Sequence, residues 1–428
     1  MSRRDELRAW LGRAHQFLFA AAVVGVITGF AVAGFERLTV SVVFDRVFAD
    51  LSPVVLAFVP GVGLAIATVW LWGPGKGLSS ATADEYLDAF HDGRPLYLRE
   101  LGHRLVAAVA TLGSGCALGL EGPSIYIGSV LGSAGQRAFR RLFVGADRRL
   151  LLVAGAAAGI AAIFKAPATG AVFALEVPYQ DDLARRMLLP ALVASASGYL
   201  ALAAVNGTTP LFPIRGAPPL SYVDLAAAAV LGLASGIGAR GFAWMLRRAK
   251  DLNDRVNTAV RVVAAGGSIA VLFAIGRSIT GKNLVLTPGY GVVTWALDPK
   301  RSLWVLAVVL VLRCCATSAA VAGGGVGGLF VPLVVAGAIL GQMFGVVVGH
   351  DNTLFLVVGI AAFLGAGYRV PLAAVMFVAE TTGRPSFIVP GLIAAVVAEL
   401  VVGRASVTTH QKVSTPGTAA EPPDTSPE

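Results

Sequence analysis

The chain has 428 residues, of which 56% are hydrophobic and 14% are charged, and these fractions lie well above and well below those of ordinary soluble domains. Because a soluble protein could not cover this much apolar surface, the composition excludes a soluble globular fold. The formal net charge is +9, but the cations form short clusters between apolar runs, which is typical of membrane topology and not of a nucleic-acid-binding face.

Long apolar runs recur along the chain, and each can cross a hydrocarbon core of about 30 Å. They are Phe17–Phe35, Val54–Trp72, Leu188–Ala204, Leu303–Ala322 and Ile388–Val402. Shorter pieces, broken by glycine or proline, are Ser124–Phe139, Ala168–Leu175 and Leu372–Ala379. A helix can stop inside a membrane only where protein or a watery cavity satisfies its backbone. We therefore predict an all-α, polytopic membrane protein with broken helices.

The two ends of the chain differ from the apolar body. Residues 1–14 are basic, and no small-residue cleavage site follows at the distance that a signal peptide requires. We predict that they are a cytoplasmic leader of a multi-pass cell-membrane protein. Residues 404–428 are rich in Pro, Thr, Ser and Glu. A segment of this composition cannot bury enough apolar surface to fold, so we predict a disordered cytoplasmic tail.

The cysteines and histidines do not form a recognisable ligand set. Cys116, Cys314 and Cys315 lie in apolar surroundings, and the five histidines are scattered. Neither set has the spacing of metal ligands or of a disulfide framework. We therefore predict no metal site and no cofactor.

Three segments of the first half recur, in the same order, in the second half. The matched pairs are Gly25–Phe35 with Gly232–Phe242, Pro123–Gly132 with Pro332–Gly341, and Phe164–Glu176 with Tyr368–Glu380. Each pair keeps its glycines, prolines or acidic residue at matching positions. Collinear matches of this kind predict an internal repeat.

The charges next to the first matched pair indicate how the halves are oriented. Arg37 is the only cation between Phe35 and Arg46, whereas a basic cluster that includes Arg248 follows Phe242. Equivalent ends therefore lie on opposite sides of the membrane. We predict an inverted repeat of residues 15–206 and 220–403, joined by a linker at 207–219. In such folds the substrate site lies near the bilayer midplane, where broken helices converge.

Glu121 lies between glycines, immediately before a proline that suits the first turn of a helix, in the motif Gly119–Pro123. The free N–H groups of a helix start, including that of Gly122, favour an anion. A tethered carboxylate can occupy the place of that anion when ionised and leave when protonated. We predict that Glu121 is a gate. The alternative is a capping glutamate that faces water, but an ionisable group between apolar spans is functional by default.

The symmetry partner of that motif has no carboxylate. In Gly327–Pro332, the glycines Gly327 and Gly328 let the backbone approach an ion, so that the N–H groups of Leu329 and Phe330 could donate to it. The alternative is a small-residue surface for helix packing. The repeat favours the anion-binding interpretation.

A third candidate helix start follows a long apolar run at Gly73–Ser80. Here Lys76 lies between Gly75 and Gly77, and a cation at this point would raise the local concentration of anions. The alternative is a lysine that extends toward the membrane surface.

These motifs make the chain resemble the CLC family of chloride channels and transporters. Gly119–Pro123 is similar to the glycine-x-glutamate-glycine-proline motif of that family, and Gly327–Pro332 is similar to its glycine-glycine-x-phenylalanine-x-proline motif. Gly365–Pro371 and Glu380 fit as well. The resemblance covers nearly the whole membrane region. It implies an α-helical homodimer with one pore per subunit.

The resemblance also implies roles for single residues. Glu121 is similar to the external gating glutamate, and the backbone of Leu329 and Phe330 to part of the central anion site. Three positions depart from the family pattern. Lys76 replaces a serine whose hydroxyl would contact the anion, Val177 replaces an internal glutamate of proton-coupled members, and Val407 replaces an anion-coordinating tyrosine.

Several functions fit this pattern. The leading hypothesis is a CLC-type channel or transporter for chloride, with passive conduction favoured by the absence of a carboxylate at Val177. The alternatives are a proton-coupled fluoride exporter and a proton/chloride antiporter. Lys76 disfavours the fluoride exporter, in which we expect a neutral residue at this position. A membrane-embedded enzyme would need a nucleophile, a metal cluster or paired carboxylates, none of which is evident. A carrier of organic solutes would need more polar or aromatic side chains at the site.

Overall fold

The computed structural model describes residues 3–139, 147, 149–212, 214, 221–349, 352–408 and 410–413, with side chains from residue 15 onward apart from 253, 254 and 352. Within these residues the chain is a bundle of α-helices. Its first eight helices are α1 (Arg3–Glu36), α2 (Pro53–Trp72), α3 (Thr82–Asp92), α4 (Leu98–Gly113), α5 (Glu121–Ala138), α6 (Leu150–Phe164), α7 (Pro167–Glu176) and α8 (Leu188–Asn206).

The second eight follow the same order of long and short elements. They are α9 (Tyr222–Arg255), α10 (Thr258–Thr280), α11 (Tyr290–Ala296), α12 (Leu303–Ala322), α13 (Phe330–Val348), α14 (Asn352–Tyr368), α15 (Pro371–Thr382) and α16 (Ile388–Val402). A wider π-helix, Arg37–Phe48, continues α1, and 3₁₀ turns at Arg185–Met187 and Pro385–Phe387 lead into α8 and α16.

The lengths and compositions of these helices confirm the predicted fold class. In the described part of the chain, eight helices are long and apolar enough to cross a membrane. Between them lie shorter helices, such as α7 with 10 residues and α15 with 12. Proline at the first position starts α2, α7 and α15, because its missing N–H and fixed φ suit a first helical turn.

Close contacts between helices recur at the residues that the two halves share. A Cβ on Gly25 of α1 would lie 2.3 Å from the carbonyl oxygen of Ala194 in α8, and one on Gly232 of α9 would lie 2.5 Å from that of Ala394 in α16. Likewise, α5 crosses α6 at Gly128, and α13 crosses α14 at Gly337. Only glycine permits such close backbone approach. The halves therefore reuse the same helix contacts, while the bounds and the membrane orientation of each half stay predictions.

The helix ends at α7 and α15 are joined by an exchange of carboxylates. Glu176, the last residue of α7, accepts hydrogen bonds from the N–H groups of Leu372 and Ala373 at the start of α15, at 3.1 and 2.8 Å. Glu380 of α15 accepts from the N–H groups of Ala168 and Thr169 at the start of α7, at 2.8 and 2.7 Å. Each carboxylate therefore accepts hydrogen bonds from the otherwise unpaired N–H groups at a helix start in the other half.

The segment after α16 departs from the predicted disorder. Val407, Thr408 and Gln411 are buried, and the side-chain N–H group of Gln411 donates to the carbonyls of Val177 and Tyr368 at 3.0 and 2.8 Å. The prediction of disorder is therefore wrong for residues 404–408 and 410–413, because hydrogen bonds to buried carbonyls compensate for their low hydrophobicity. The rest of the predicted tail, 409 and 414–428, and linker residues 213 and 215–219 lie outside the described residues.

Candidate functional site

Two helix starts meet at the centre of the molecule. The N–H of Gly119 donates to the carbonyl of Gly328 at 2.9 Å, and the N–H of Gly328 donates to that of Gly119 at 2.7 Å. These antiparallel links fix the segment before α5 against the segment before α13. The N-terminal ends of α5 and α13 are therefore brought together, which places their free N–H groups near one spot.

The carboxylate of Glu121 lies at this junction. Its side chain is 1% exposed, and its Oε1 accepts a hydrogen bond of 2.6 Å from the N–H of Phe330. The N–H groups of Glu121 itself and of Val331 also face it. Among the described residues Oε2 is a buried oxygen without a hydrogen-bond partner. The carboxylate thus occupies the N-terminal end of α13, as an anion would.

Glycines on both sides leave just enough room for this carboxylate. A Cβ added to Gly119 would lie 1.8 Å from Glu121 Oε2, and one added to Gly328 would lie 2.0 Å from Oε1. Neither glycine has a positive φ, so both glycines are needed for space and not for an unusual backbone conformation. The two motif glycines and Glu121 therefore form one packed unit.

A cavity of about 270 Å³ opens beside this unit. Its inner wall includes Gly327, Gly328 and Leu329. Tyr368 and Val407 also line it, and both are almost fully buried. An ion in this cavity would therefore lie next to the start of α13 and the Glu121 carboxylate.

The third helix start at the cavity is not the one that the sequence suggested. Lys76 and Gly77 are exposed, and Gly75 packs against the side chains of Leu71 and His103. None of the three lines the cavity, which corrects their predicted role as anion contacts. The reason is that four further residues follow the turn before α3 begins at Thr82.

Thr82 lies at the cavity, where the sequence predicts Lys76. It lines the cavity, and its side-chain oxygen would lie 2.8 Å from a Cβ on Gly122. Within the described residues this buried oxygen has no hydrogen-bond partner. The hydroxyl is therefore available to a ligand in the cavity. Gly122 itself packs against this oxygen and the backbone of Gly328.

Tyr368 is a site residue that the sequence reasoning missed. Its phenolic oxygen lies against the N–H of Leu329, and its ring packs on Phe173 and Phe330, with centroids 5.7 and 6.3 Å apart. Val407, which was expected to replace a tyrosine, does line the cavity but has no hydroxyl. The sequence feature that points to Tyr368 is a tyrosine inside the motif Gly365–Pro371, which is otherwise apolar apart from Arg369.

Charged side chains surround the mouth of the cavity. Lys250 of α9 lies 2.9 Å from Asp84 of α3, and Thr408 donates to the same carboxylate at 2.6 Å. His410 lies 2.5 Å from Asp88. This cluster joins α3, α9 and the segment after α16, and Lys250 is the cation that it places at the cavity wall.

Aromatic rings pack around Phe330, the residue whose N–H donates to Glu121. The ring of Phe330 lies 4.4 Å from that of Phe164, 4.9 Å from that of Phe377 and 5.6 Å from that of Phe173. All four rings are almost fully buried. Glu121 and the rings around Phe330 are thus shielded from water, and electrostatic interactions are stronger in such an environment.

Val177 supplies no carboxylate, and the acid next to it in the chain is engaged in hydrogen bonds. Val177 is 3% exposed, and the neighbouring Glu176 is engaged at the start of α15. The described residues contain no group of three or more His, Cys, Asp or Glu side chains that could hold a metal ion.

Comparison with known proteins identifies the family. A family model described as voltage gated chloride channel matches residues 72–403. The H(+)/Cl(-) exchange transporter ClcA of Salmonella paratyphi A is 29% identical to this chain over 427 residues, which cover 92% of the chain and 87% of the relative. ClcA of Salmonella schwarzengrund is 28% identical over the same shares.

Solved structures share the fold. A CLC-type fluoride/proton antiporter has a TM-score of 0.80 at 20% sequence identity, with 94% of this chain and 98% of that chain covered. A slow cyanobacterial Cl-/H+ antiporter has a TM-score of 0.76 at 24% identity, with 90% and 94% covered. These identities establish the architecture and not the substrate.

The fold and the family match define a polytopic membrane transport protein built on broken helices. The chain belongs to the CLC family of anion channels and transporters.

Proposed function

We propose that this protein conducts small anions, with chloride as the default substrate, and that Glu121 gates the pathway. The observation that carries the proposal is the 2.6 Å hydrogen bond from the N–H of Phe330 to the Glu121 carboxylate. An N–H group that binds a carboxylate can bind a halide instead, because both are monovalent anions that accept hydrogen bonds. The tethered carboxylate and the permeating ion therefore compete for one place.

Protonation is the proposed trigger for this exchange. A neutral carboxylic acid loses the charge-assisted part of its hydrogen bonds to the N–H groups at the start of α13. The side chain is then free to leave, and an anion from the cavity takes its place. The close fit of Gly119 and Gly328 around the carboxylate supports a two-position mechanism, since it leaves no room for the ion and the ionised side chain together.

Two hydroxyl groups complete the proposed anion site. Thr82 offers an unpartnered buried hydroxyl, and Tyr368 places its phenolic oxygen next to the N–H of Leu329. An ion entering the cavity would accept from that N–H, while the phenol turns to donate its own hydrogen to the ion. Lys250 at the cavity wall adds a positive potential that raises the local concentration of anions.

Passive conduction is the proposed mode of transport. The ClcA relatives are named H(+)/Cl(-) exchange transporters, and such exchange needs a proton acceptor on the inner side as well as at the gate. Val177 supplies none, and Glu176 is committed to the start of α15. A proton/chloride antiporter is therefore the less favoured form of the same proposal.

A proton-coupled fluoride exporter is the second candidate. A lysine at the anion site would disfavour fluoride export, but Lys76 is exposed and does not line the cavity. The resemblance in fold to a fluoride/proton antiporter fits this candidate without deciding the substrate.

Liposomes that contain the purified protein test these possibilities directly. Efflux of chloride and of fluoride is measured separately, with proton movement recorded in the same experiment. Chloride flux without stoichiometric proton movement is the expected result. Fluoride flux coupled to protons would favour the second candidate, and the absence of flux for both ions would overturn the proposal.

A further inference from the structure

A groove on the outer surface of the helix bundle has no part in the anion pathway. It lies between α9 and α10, with the end of α12 as its floor, and its volume is about 600 Å³. Its walls are mostly small or apolar, including Val260, Ala264 and Ala319. An apolar groove of this size on a membrane protein can receive the acyl chains of a lipid.

One end of this groove is strongly basic. Arg255 and Arg261 line it there, beside the turn between α9 and α10, while Arg248 and the acidic Asp251 line the groove further along α9. The guanidinium group of Arg248 lies 5.9 Å from the ring centre of Trp244, about two helical turns along α9 from Arg255. The charge of this end complements an anionic headgroup and not a zwitterionic one.

The dimensions of the groove match one leaflet of a bilayer. From the basic end at Val260, the groove follows α10 to Ser268. At about 1.5 Å per residue this stretch covers about 12 Å, which is close to half of a hydrocarbon core of about 30 Å. A phospholipid with its phosphate at the arginines would therefore lay its acyl chains along the apolar part.

We propose that this groove is a binding site for an anionic phospholipid. The lipid contacts the face of α9 that carries Arg248 and Arg255, while Lys250 on the same helix reaches the mouth of the anion cavity. A bound lipid thus braces the end of α9 that supports Lys250. This role is separate from the gating of Glu121.

Lipid binding to the purified full chain in detergent tests the proposal. The probes are phosphatidylglycerol and phosphatidylcholine with identical acyl chains, and the readout is the shift of the thermal unfolding midpoint with lipid concentration. Phosphatidylglycerol should stabilise the wild-type protein at much lower concentrations. Since each cation near the surface contributes on the order of 1 kcal/mol, the double variant Arg248→Gln, Arg255→Gln should bind phosphatidylglycerol about 30-fold more weakly.

Two control variants show whether the position of the charge and the shape of the groove both matter. Arg37→Gln with Arg46→Gln removes the same charge from another exposed helix and should leave the affinity unchanged. Ala264→Trp fills the groove without a change in charge and should also weaken binding.

Two comparisons on the wild-type protein can overturn the proposal, and neither depends on the folding of a variant. Equal stabilisation by phosphatidylcholine would show that the headgroup charge has no influence. An equal shift with soluble glycerol phosphate would indicate a site for a free anion and not for a lipid.

Discussion

Glu121 and Tyr368 hold the two consecutive N–H groups at the start of α13. Phe330 donates to the carboxylate, and Leu329 lies against the phenolic oxygen. Both side chains carry oxygen to a place where backbone donors would otherwise be unsatisfied. The Glu121 oxygen belongs to an ionisable group, so this residue can act as the gate. The Tyr368 oxygen is neutral, so this residue forms the fixed part of the anion site.

The variant Tyr368→Phe tests the fixed part of the site. It keeps the ring packing on Phe173 and Phe330 but removes the hydroxyl. A hydrogen bond to a charged group contributes about 1.5–3 kcal/mol, so the apparent affinity for the anion should fall on the order of 10- to 100-fold. The concentration dependence of liposome flux measures this change. Tyr86→Phe is the control, since its hydroxyl donates to the carbonyl of Ala174 and Tyr86 is not among the residues that line the cavity; equal effects of both variants would count against the role of Tyr368.

The position of Lys76 leads to the opposite expectation. Its side chain is exposed and does not line the cavity. Lys76→Ser should therefore leave the permeability ratio of chloride to fluoride unchanged within about twofold, since an exposed charge in water has a weak, screened influence. A clear change in that ratio, measured by competition between the two ions, would return Lys76 to the pathway.

The contrast between Lys76 and Thr82 shows the limits of sequence reasoning at this scale. The motifs of Glu121, Leu329 and Phe330 contain glycine and proline at fixed spacing, so their position at helix starts could be predicted, and the structure brings them together. The loop before α3 has no such fixed spacing. Its length decides which side chain reaches the cavity, and only tertiary packing determines it.

At the scale of elements, the exchange of carboxylates between α7 and α15 ties the two halves together. Glu176 and Glu380 each accept two backbone N–H groups, and Glu380 also accepts the hydroxyl of Thr169 at 2.7 Å. The matched sequence segments predicted equivalent residues but not this exchange. A sequence match reveals symmetry, whereas a contact between symmetry partners depends on how the helices are arranged.

Glu380→Gln should destabilise the protein, because an amide replaces charge-assisted acceptors at the start of α7. Weakening three hydrogen bonds should lower the free energy of unfolding by about 2–4 kcal/mol. The thermal unfolding midpoint in detergent should fall accordingly. Asp50→Asn, at an exposed carboxylate, is the control for the charge change. An unaltered midpoint for Glu380→Gln would contradict the proposed contribution of the exchange.

The contact between the segments before α5 and α13 gives a second prediction at this scale. In Gly328→Ala the new methyl group would overlap Glu121, with Oε1 at 2.0 Å and Cδ at 2.2 Å. The flexible glutamate side chain can move, and the backbone φ accepts alanine, so we expect a folded protein with its gate displaced. Flux at neutral pH should rise several-fold. Gly102→Ala, with open space around its Cβ, should behave like the wild type; a Gly328→Ala protein with wild-type flux would argue against the fit.

At the scale of the whole molecule, hydropathy and glycine–proline interruptions were sufficient to predict an all-α membrane fold with an internal repeat. Apolar periodicity and helix breaks follow directly from the bilayer. The order of the segment after α16 could not be predicted, since it depends on buried carbonyls that only the assembled bundle presents to Gln411. The predicted homodimer, the cytoplasmic location of both termini and the bounds of the two halves stay predictions.

The anion flux of Glu121→Gln as a function of pH tests the central claim most directly. Glutamine has the shape of the protonated glutamate and cannot ionise. In the wild type, flux through liposomes should rise as pH falls, because protonation releases the carboxylate from the N–H of Phe330. In Glu121→Gln, flux should be high and should vary less than about twofold across the acidic to neutral range, whereas a variant with the full pH dependence of the wild type would contradict the account.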